Sequence, residues 1–287
     1  MPLMSRLLAT VLATALPLSA AAQETLYFSA IPDEDETRLV ERFTAVADYL
    51  SEELGVPVEF VPVKSYPAAV TAFRNDQVQL AWFGGLSGVQ ARLLVDGARA
   101  IAQGDEDTSF VSYFIAHTDT GLTESEDFPE AARGMSFTFG AKTSTSGRLM
   151  PEYAIRENTG EAPEEFFDRV GFSGDHSQTL RLVASGAWQV GALNYAVYDQ
   201  AVADNAPEVE TAKVIWKTPP YPDYNWTIRG DVDARWGEGF ADKVQAALVG
   251  MDDPDLLAAF PRNAFIPAAN EDYAPIEQVA RDLDLLE

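Results

Sequence analysis

The 287-residue chain contains no cysteine and only two histidines. Without cysteine there can be no disulfide, no thiolate metal site and no lipid anchor attached through sulfur. Two histidines and no cysteine also argue against a catalytic zinc site. Basic residues are also scarce: 20 Lys and Arg stand against 45 Asp and Glu, a formal net charge of −25. That balance argues against nucleic acid as a partner, because nucleic-acid binders need basic surfaces to displace counterions. It also means that any anion bound by this chain is held by local groups rather than by net charge. Acidic runs such as Asp33-Glu34-Asp35-Glu36 and Asp105-Glu106-Asp107 read as solvated faces.

Long apolar runs are missing as well. The longest candidate, Leu7 to Leu18, falls short of the roughly 20 apolar residues a spanning helix needs. It follows Arg6 and precedes Ala20-Ala21-Ala22, the order of a secretory signal with a small-residue cleavage site. Residues 1–22 are therefore expected to be removed near Ala22, leaving a freely diffusing periplasmic protein, expected to be a monomer. What remains, with 47% hydrophobic residues overall, is long for one core and suits two lobes at about 100 to 200 residues per domain.

Along the mature chain, short β-branched or aromatic runs alternate with longer amphipathic stretches. Leu26–Ile31 reads as a strand, 37–54 as a helix stopped by Gly55, Val58–Val63 as a strand, then a helix capped by Ser65 with Pro67 in its first turn. Val78–Phe83 is a third strand, with a helix from Leu86. This β-α-β-α-β order predicts a parallel sheet with helices on both faces. The pattern restarts after Ser112–Ala116 with strands at Met135–Phe139, Val170 and Val190–Leu193, and helices from Ser144 and over Ser177–Ala184. Val214–Thr218 then leads through Pro219-Pro220-Tyr221-Pro222 to a strand at Trp226–Arg229 and two C-terminal helices. A lobe inserted within a lobe accounts for this: an α/β chain with two doubly wound sheets, lobe 1 at 23–115 and 225–287, lobe 2 at 116–224, and hinge crossings near 113–118 and 216–225.

In such lobes ligands bind beyond the carboxyl ends of strands, where helix N-termini present free N–H groups. Thr143-Ser144-Thr145-Ser146-Gly147-Arg148 has that position, directly after Phe139-Gly140. An ordinary cap needs one hydroxyl; consecutive hydroxyls plus a glycine form a nest of neutral donors suited to a dianion. Pro151 suggests a short first turn followed by a restart. Phe83-Gly84-Gly85-Leu86-Ser87-Gly88 is a second strand-to-helix turn, whose Gly84 and Gly85 either offer backbone amides to a ligand or let strand and helix approach closely. Trp82 and Phe83 read as core. His176 opens a helix and can donate to an anion, and Tyr66, Asn194 and Tyr195 fall in strand-end loops.

These segments also carry a resemblance. Lys64-Ser65-Tyr66, the run Leu80 to Arg92, Ser144-Thr145-Ser146-Gly147, Gly174-Asp175-His176 and Thr218-Pro219-Pro220 resemble the phosphate, phosphite and phosphonate receptor family of ABC importers over essentially the whole mature chain. Ala81 to Arg92 and Phe137 to Gly140 with Thr145 to Pro151 are similar to a subgroup described as selenate receptors. The resemblance implies a type II, two-lobed periplasmic binding fold that closes by hinge motion, a membrane permease as partner, and Tyr66, Ser144, Thr145, Ser146 and His176 around the anion. Where the family carries an aspartate after a strand, this chain is read as having Asn194, whose amide would donate to an unprotonated oxygen and favour selenate or sulfate. No cofactor is implied. Two other classes remain: a ligand sensor for a membrane kinase, and a hydrolase using Ser146, His176 and Asp175, for which no Gly-x-Ser-x-Gly elbow is present.

Overall fold

The computed structural model describes residues 23–34, 36–258 and 260–286; the expected signal at 1–22 lies outside them. The chain opens with β1 (Leu26–Ala30), α1 (Glu36–Leu54), β2 (Val58–Phe60), α2 (Tyr66–Arg74), β3 (Leu80–Phe83), α3 (Gly85–Leu94) and β4 (Arg99–Gly104). Gly55, at φ 69°, takes the left-handed conformation that ends α1. Ser65 caps α2, its hydroxyl accepting from Ala68 N at 3.3 Å. Every residue of β3 is buried, which is why it reads as an unbroken apolar run.

The second part holds β5 (Ser112–His117), β6 (Ser136–Phe139), α4 (Met150–Thr159), α5 (Pro163–Phe166), β7 (Arg169–Phe172), α6 (His176–Ala184), β8 (Val190–Asn194), α7 (Tyr195–Ala203), α8 (Glu208–Thr211) and β9 (Ala212–Lys217). The chain ends with β10 (Asn225–Ile228), α9 (Val232–Trp236), α10 (Phe240–Val249), α11 (Pro254–Leu257), β11 (Phe265–Pro267) and α12 (Ala274–Asp282). Strands pair as two separate sheets, in the orders β11-β4-β10-β3-β1-β2 and β7-β6-β8-β5-β9.

The parallel-sheet expectation holds for β2-β1-β3 and for β7-β6-β8, but both sheets are mixed. β10 returns antiparallel between β3 and β4, and β5 runs antiparallel to β8 and β9. An antiparallel strand where the chain leaves or re-enters a lobe lets both crossings lie at one end of the sheets. β4 and β11 escaped the sequence reading. β4 is Arg-Ala-Ile-Ala-Gln-Gly, low in β-branched residues, and β11 has three residues ending in proline. The C-terminal region likewise contains more short helices than the expected two.

The chain crosses between sheets after Gly104 and again after Lys217. All of β5 pairs in the five-stranded sheet, so a border at 115/116 would fall inside a strand. The crossings pair with each other: Phe110 and Tyr221 exchange backbone hydrogen bonds, both 2.9 Å. Beside them Arg262 grips Asp107 with two bonds, Nε to Oδ2 at 2.8 Å and Nη2 to Oδ1 at 2.6 Å. Asp107 is thus fully buried rather than part of a solvated face. Cores follow the pleat: in β5, Phe114 and Ala116 face one apolar cluster while Tyr113 and Ile115 face another. The larger core, with Phe28, Phe43, Trp82 and Trp226, belongs to the six-stranded sheet.

Candidate anion-binding site

After β6 the chain turns at Gly140 and Ala141 into a single π-turn, Thr145–Leu149, before α4 restarts with Pro151 in its first turn. Ser144 caps the turn, its hydroxyl accepting from Gly147 N at 2.9 Å. A Cβ at Gly147 would lie 3.0 Å from both His176 Cε1 and Ser144 Oγ, so a glycine is needed for the turn to close this tightly. Ser144, Thr145 and Ser146 are all buried. Thr145 Oγ1 accepts from Leu86 N of α3 at 2.9 Å, a bond between elements of the two sheets. The Ser146 carbonyl accepts from Ser112 Oγ, which in turn lies 2.6 Å from Tyr221 Oη.

Three buried residues abutting this turn, Tyr66, His176 and Asp223, each leave one polar atom without a protein hydrogen-bond partner. Tyr66, the first residue of α2, sits beside Ser144, yet its hydroxyl has no well-formed protein hydrogen bond. Burial, then the neighbouring Asp33 carboxylate, pushes that hydroxyl well above its usual range, keeping it a neutral donor. His176 is completely buried at the start of α6. Its Nδ1 accepts from Asn194 N at 3.2 Å, which assigns the ring proton to Nε2. Nε2 has no protein partner, and burial pushes the ring down to about 3, so it is a neutral N–H donor. The third group is Asp223, on the second crossing and 1% exposed. Its Oδ1 accepts from Gly85 N at 2.8 Å, while Oδ2 has no protein partner. Burial, opposed by the Gly85 N–H and by Thr145, pushes its carboxyl up to about 7. Neutral donors and one proton-hungry carboxyl thus converge on a turn at a strand end.

A family model described as "ABC transporter, phosphonate, periplasmic substrate-binding protein" matches residues 28–273. The chain belongs to this family. It is 38% identical over 266 residues, 90% of each chain, to "Probable ABC transporter phosphite binding protein PhnD1" of Prochlorococcus marinus strain MIT 9301. The structure of that protein in complex with methylphosphonate superposes with a TM-score of 0.87, covering 91% of this chain and 98% of the other. The phosphonates-binding periplasmic protein of Escherichia coli K12 is 26% identical over 210 residues, 72% of this chain and 61% of its own. A phosphonate transporter component of Pseudomonas aeruginosa, 22% identical with a TM-score of 0.78 over 90% of this chain and 85% of its own, shares the fold.

Within this phosphonate-receptor family fold, the remaining candidate groups are held as follows. Asn194 has no amide to spare: Oδ1 caps α7 by accepting from Ala196 N at 2.7 Å, and Nδ2 donates to Tyr224 Oη at 3.1 Å. Its part at the site is its backbone N–H on His176. Gly84 and Gly85 let strand and helix approach the turn closely. The Gly85 amide is held by Asp223, and a Cβ at Gly84 would crowd both Asp223 Oδ1 and Thr145 Oγ1 at 3.3 Å. Half-buried Tyr195 packs its ring on Phe110 and Tyr113, with centroids 4.8 and 6.1 Å away. Finally, no Ser-His-Asp relay is assembled, since His176 Nδ1 faces a backbone amide while Asp175 caps Gln178 N at 2.6 Å. Trp82 is buried in the core, stacked on Tyr224.

Two acidic residues acquire unforeseen places. Asp223 follows Pro219-Pro220-Tyr221-Pro222 in the stretch read as the second hinge crossing. Asp33, expected on a solvated face, accepts from Tyr224 Oη at 2.7 Å, and its carbonyl accepts from His176 N at 3.1 Å. Burial and the adjacent Glu34 push its carboxyl up to about 7. Asn194, Tyr224 and Asp33 therefore form one hydrogen-bonded bridge from β8 across the second crossing to the loop after β1.

Proposed function

We propose that this protein captures a phosphorus oxyanion bearing an ionisable proton, a phosphonate or phosphite, and presents it to the permease of an ABC importer. The observation that carries this reading is Asp223 Oδ2, buried and unpartnered beside a nest of neutral donors. A carboxylate and an anionic oxygen repel in a dry site unless one proton lies between them. Phosphonates and phosphite bring such a proton near neutral pH, whereas sulfate and selenate do not. The carboxyl that selects the ligand is thus Asp223, and the preference for a fully ionised dianion drawn from Asn194 is abandoned. Tyr66, Ser144, His176 and backbone amides of the turn supply donors without net positive charge. At ~1.5 to 3 kcal/mol per hydrogen bond to a charged group, a handful supports the ~8 kcal/mol of micromolar binding.

In this reading the lobes divide within 105–111 and 218–224, residues 1–22 direct export and are removed, and the mature protein works in the periplasm as a monomer with no nucleic-acid or catalytic role. A thermal-shift panel of phosphate, phosphite, methylphosphonate, sulfate, selenate and selenite on the mature protein tests it, because a ligand raises the melting temperature according to its affinity. Phosphite or methylphosphonate should stabilise at micromolar concentration. Stabilisation by selenate or sulfate at lower concentration than either would overturn the reading.

A further inference from the structure

The net charge of −25 poses a kinetic problem for a receptor of anions, and a cleft beside the site bears on it. A cavity of about 560 Å³ lies between the loops that follow β1 and β2 and those that follow β6 and β7. Buried Tyr66, whose side chain also abuts the anion site, lines it together with Gly140. Lys64 stands on one side of this cleft, with Lys142 and Arg181 on the other. The same walls carry two acids, Glu34, which pairs with Arg42 at 3.0 Å, and Asp175, which caps α6, so the cations outnumber the acids. Lys142 lies over the exposed Phe172 ring, 5.4 Å from its centroid, which keeps its ammonium at the opening.

Resting on the anion reading above, we propose that this cleft is the mouth of the site and that Lys64, Lys142 and Arg181 draw the incoming anion into it against the net charge of the protein. At physiological ionic strength charges are screened over ~8 Å. An anion in the cleft therefore responds to the cations on its walls and little to acids on the far side of the molecule. Clefts lined by one sign of charge raise association rates by about 10- to 1,000-fold, and a cleft in which cations only outnumber acids belongs at the lower end of that range.

The sign of the salt dependence decides the matter. Attraction by a local cationic mouth makes the association rate fall as salt is added, while repulsion by the whole protein makes it rise. Stopped-flow tryptophan fluorescence with methylphosphonate, phosphite, phosphate and sulfate would be recorded from about 0.01 M to about 1 M NaCl, where the screening length shrinks from ~30 to ~3 Å. For every anion that binds, the wild-type association rate should fall. In the triple variant Lys64→Gln, Lys142→Gln, Arg181→Gln it should be at least tenfold lower at low salt and should rise with salt, with the dissociation rate within twofold. Neutralising Arg133 and Arg281, exposed residues away from the cleft, should change neither rate. A wild-type rate that rises with salt would sink the proposal, as would a triple variant whose loss lies in dissociation. If none of the four anions binds, the anion reading itself fails and takes the mouth with it.

Discussion

Burial gives the site's ionisable residues their properties. Asp223 and Asp33 both move from 3.8 to about 7, while His176 moves from 6.5 to about 3. The signs of the linked stabilities are opposite. A carboxyl raised in the folded state binds more protons folded than unfolded between about pH 4 and 7, so its stabilisation is present at low pH and fades as pH rises through 7. The histidine stabilises less as pH falls through its unfolded value. Urea midpoints of the ligand-free protein should therefore drop from pH 4 to pH 7 relative to those of Asp223→Asn, which removes one titrating carboxyl and retains Oδ1 for Gly85. The same variant tests selectivity. An amide offers no acceptor-only oxygen pair and can donate, so methylphosphonate should bind at least tenfold more weakly, ~1.4 kcal/mol, while sulfate should bind more tightly. Calorimetric titration with both ligands checks this, and an unchanged ratio would place Asp223 outside contact with the ligand.

At the scale of elements, two hydrogen-bonded assemblies join segments far apart in sequence. The Asn194–Tyr224–Asp33 bridge depends on one phenol, which accepts from the amide and donates to the carboxyl. Tyr224→Phe removes both bonds but keeps the ring on Trp82, 5.4 Å away. Ligand affinity should fall about tenfold, at ~0.5 to 1.5 kcal/mol per lost bond, mostly through faster dissociation in stopped-flow experiments. The Asp107–Arg262 pair clamps the first crossing to the segment before β11. Removing one member leaves a buried charge unpaired, so Arg262→Met should cost ~3 to 5 kcal/mol in urea unfolding, and the double change with Asp107→Asn should recover part of it. Neither assembly is periodic, and so neither left a signature in the sequence. The π-turn did: hydroxyl residues 143–146 followed by Gly147, with Pro151 beyond, predict a short first turn and a restart, because proline cannot continue the preceding helix.

For the whole molecule, contacts cross between the sheets at Leu86 N to Thr145, His176 N to the Asp33 carbonyl, and Asn194 to Tyr224. A ligand engaging Tyr66 and Asp223 on one side and Ser144 and His176 on the other would favour this closed arrangement by its differential contacts with it. Small-angle scattering should accordingly give a smaller radius of gyration with saturating methylphosphonate than without, and superimposable profiles would remove hinge closure from the mechanism.

The sequence by itself determined the features that local pattern dictates. Period-2 and period-3.6 runs marked most strands and helices, Ser65 and the 143–147 nest marked caps, and strand-end position singled out Tyr66 and His176. Local pattern also implied the division into two lobes, because the β-α alternation restarts after Ser112. Tertiary structure alone decided which polar groups are left without partners. Asn194, the favoured selector, is consumed by a cap and a tyrosine, while Asp223, in the proline-rich stretch read as a hinge crossing, is brought against Gly85 and Thr145 by the pairing of the two crossings. Burial then decided charge state: Asp33 and Asp107 look solvated in acidic runs, yet one bonds Tyr224 and the other Arg262. The physical reason is that hydrogen-bond satisfaction and desolvation depend on tertiary neighbours, from 30 residues away for Asn194 and Tyr224 to 191 for Asp33 and Tyr224, which local composition does not record.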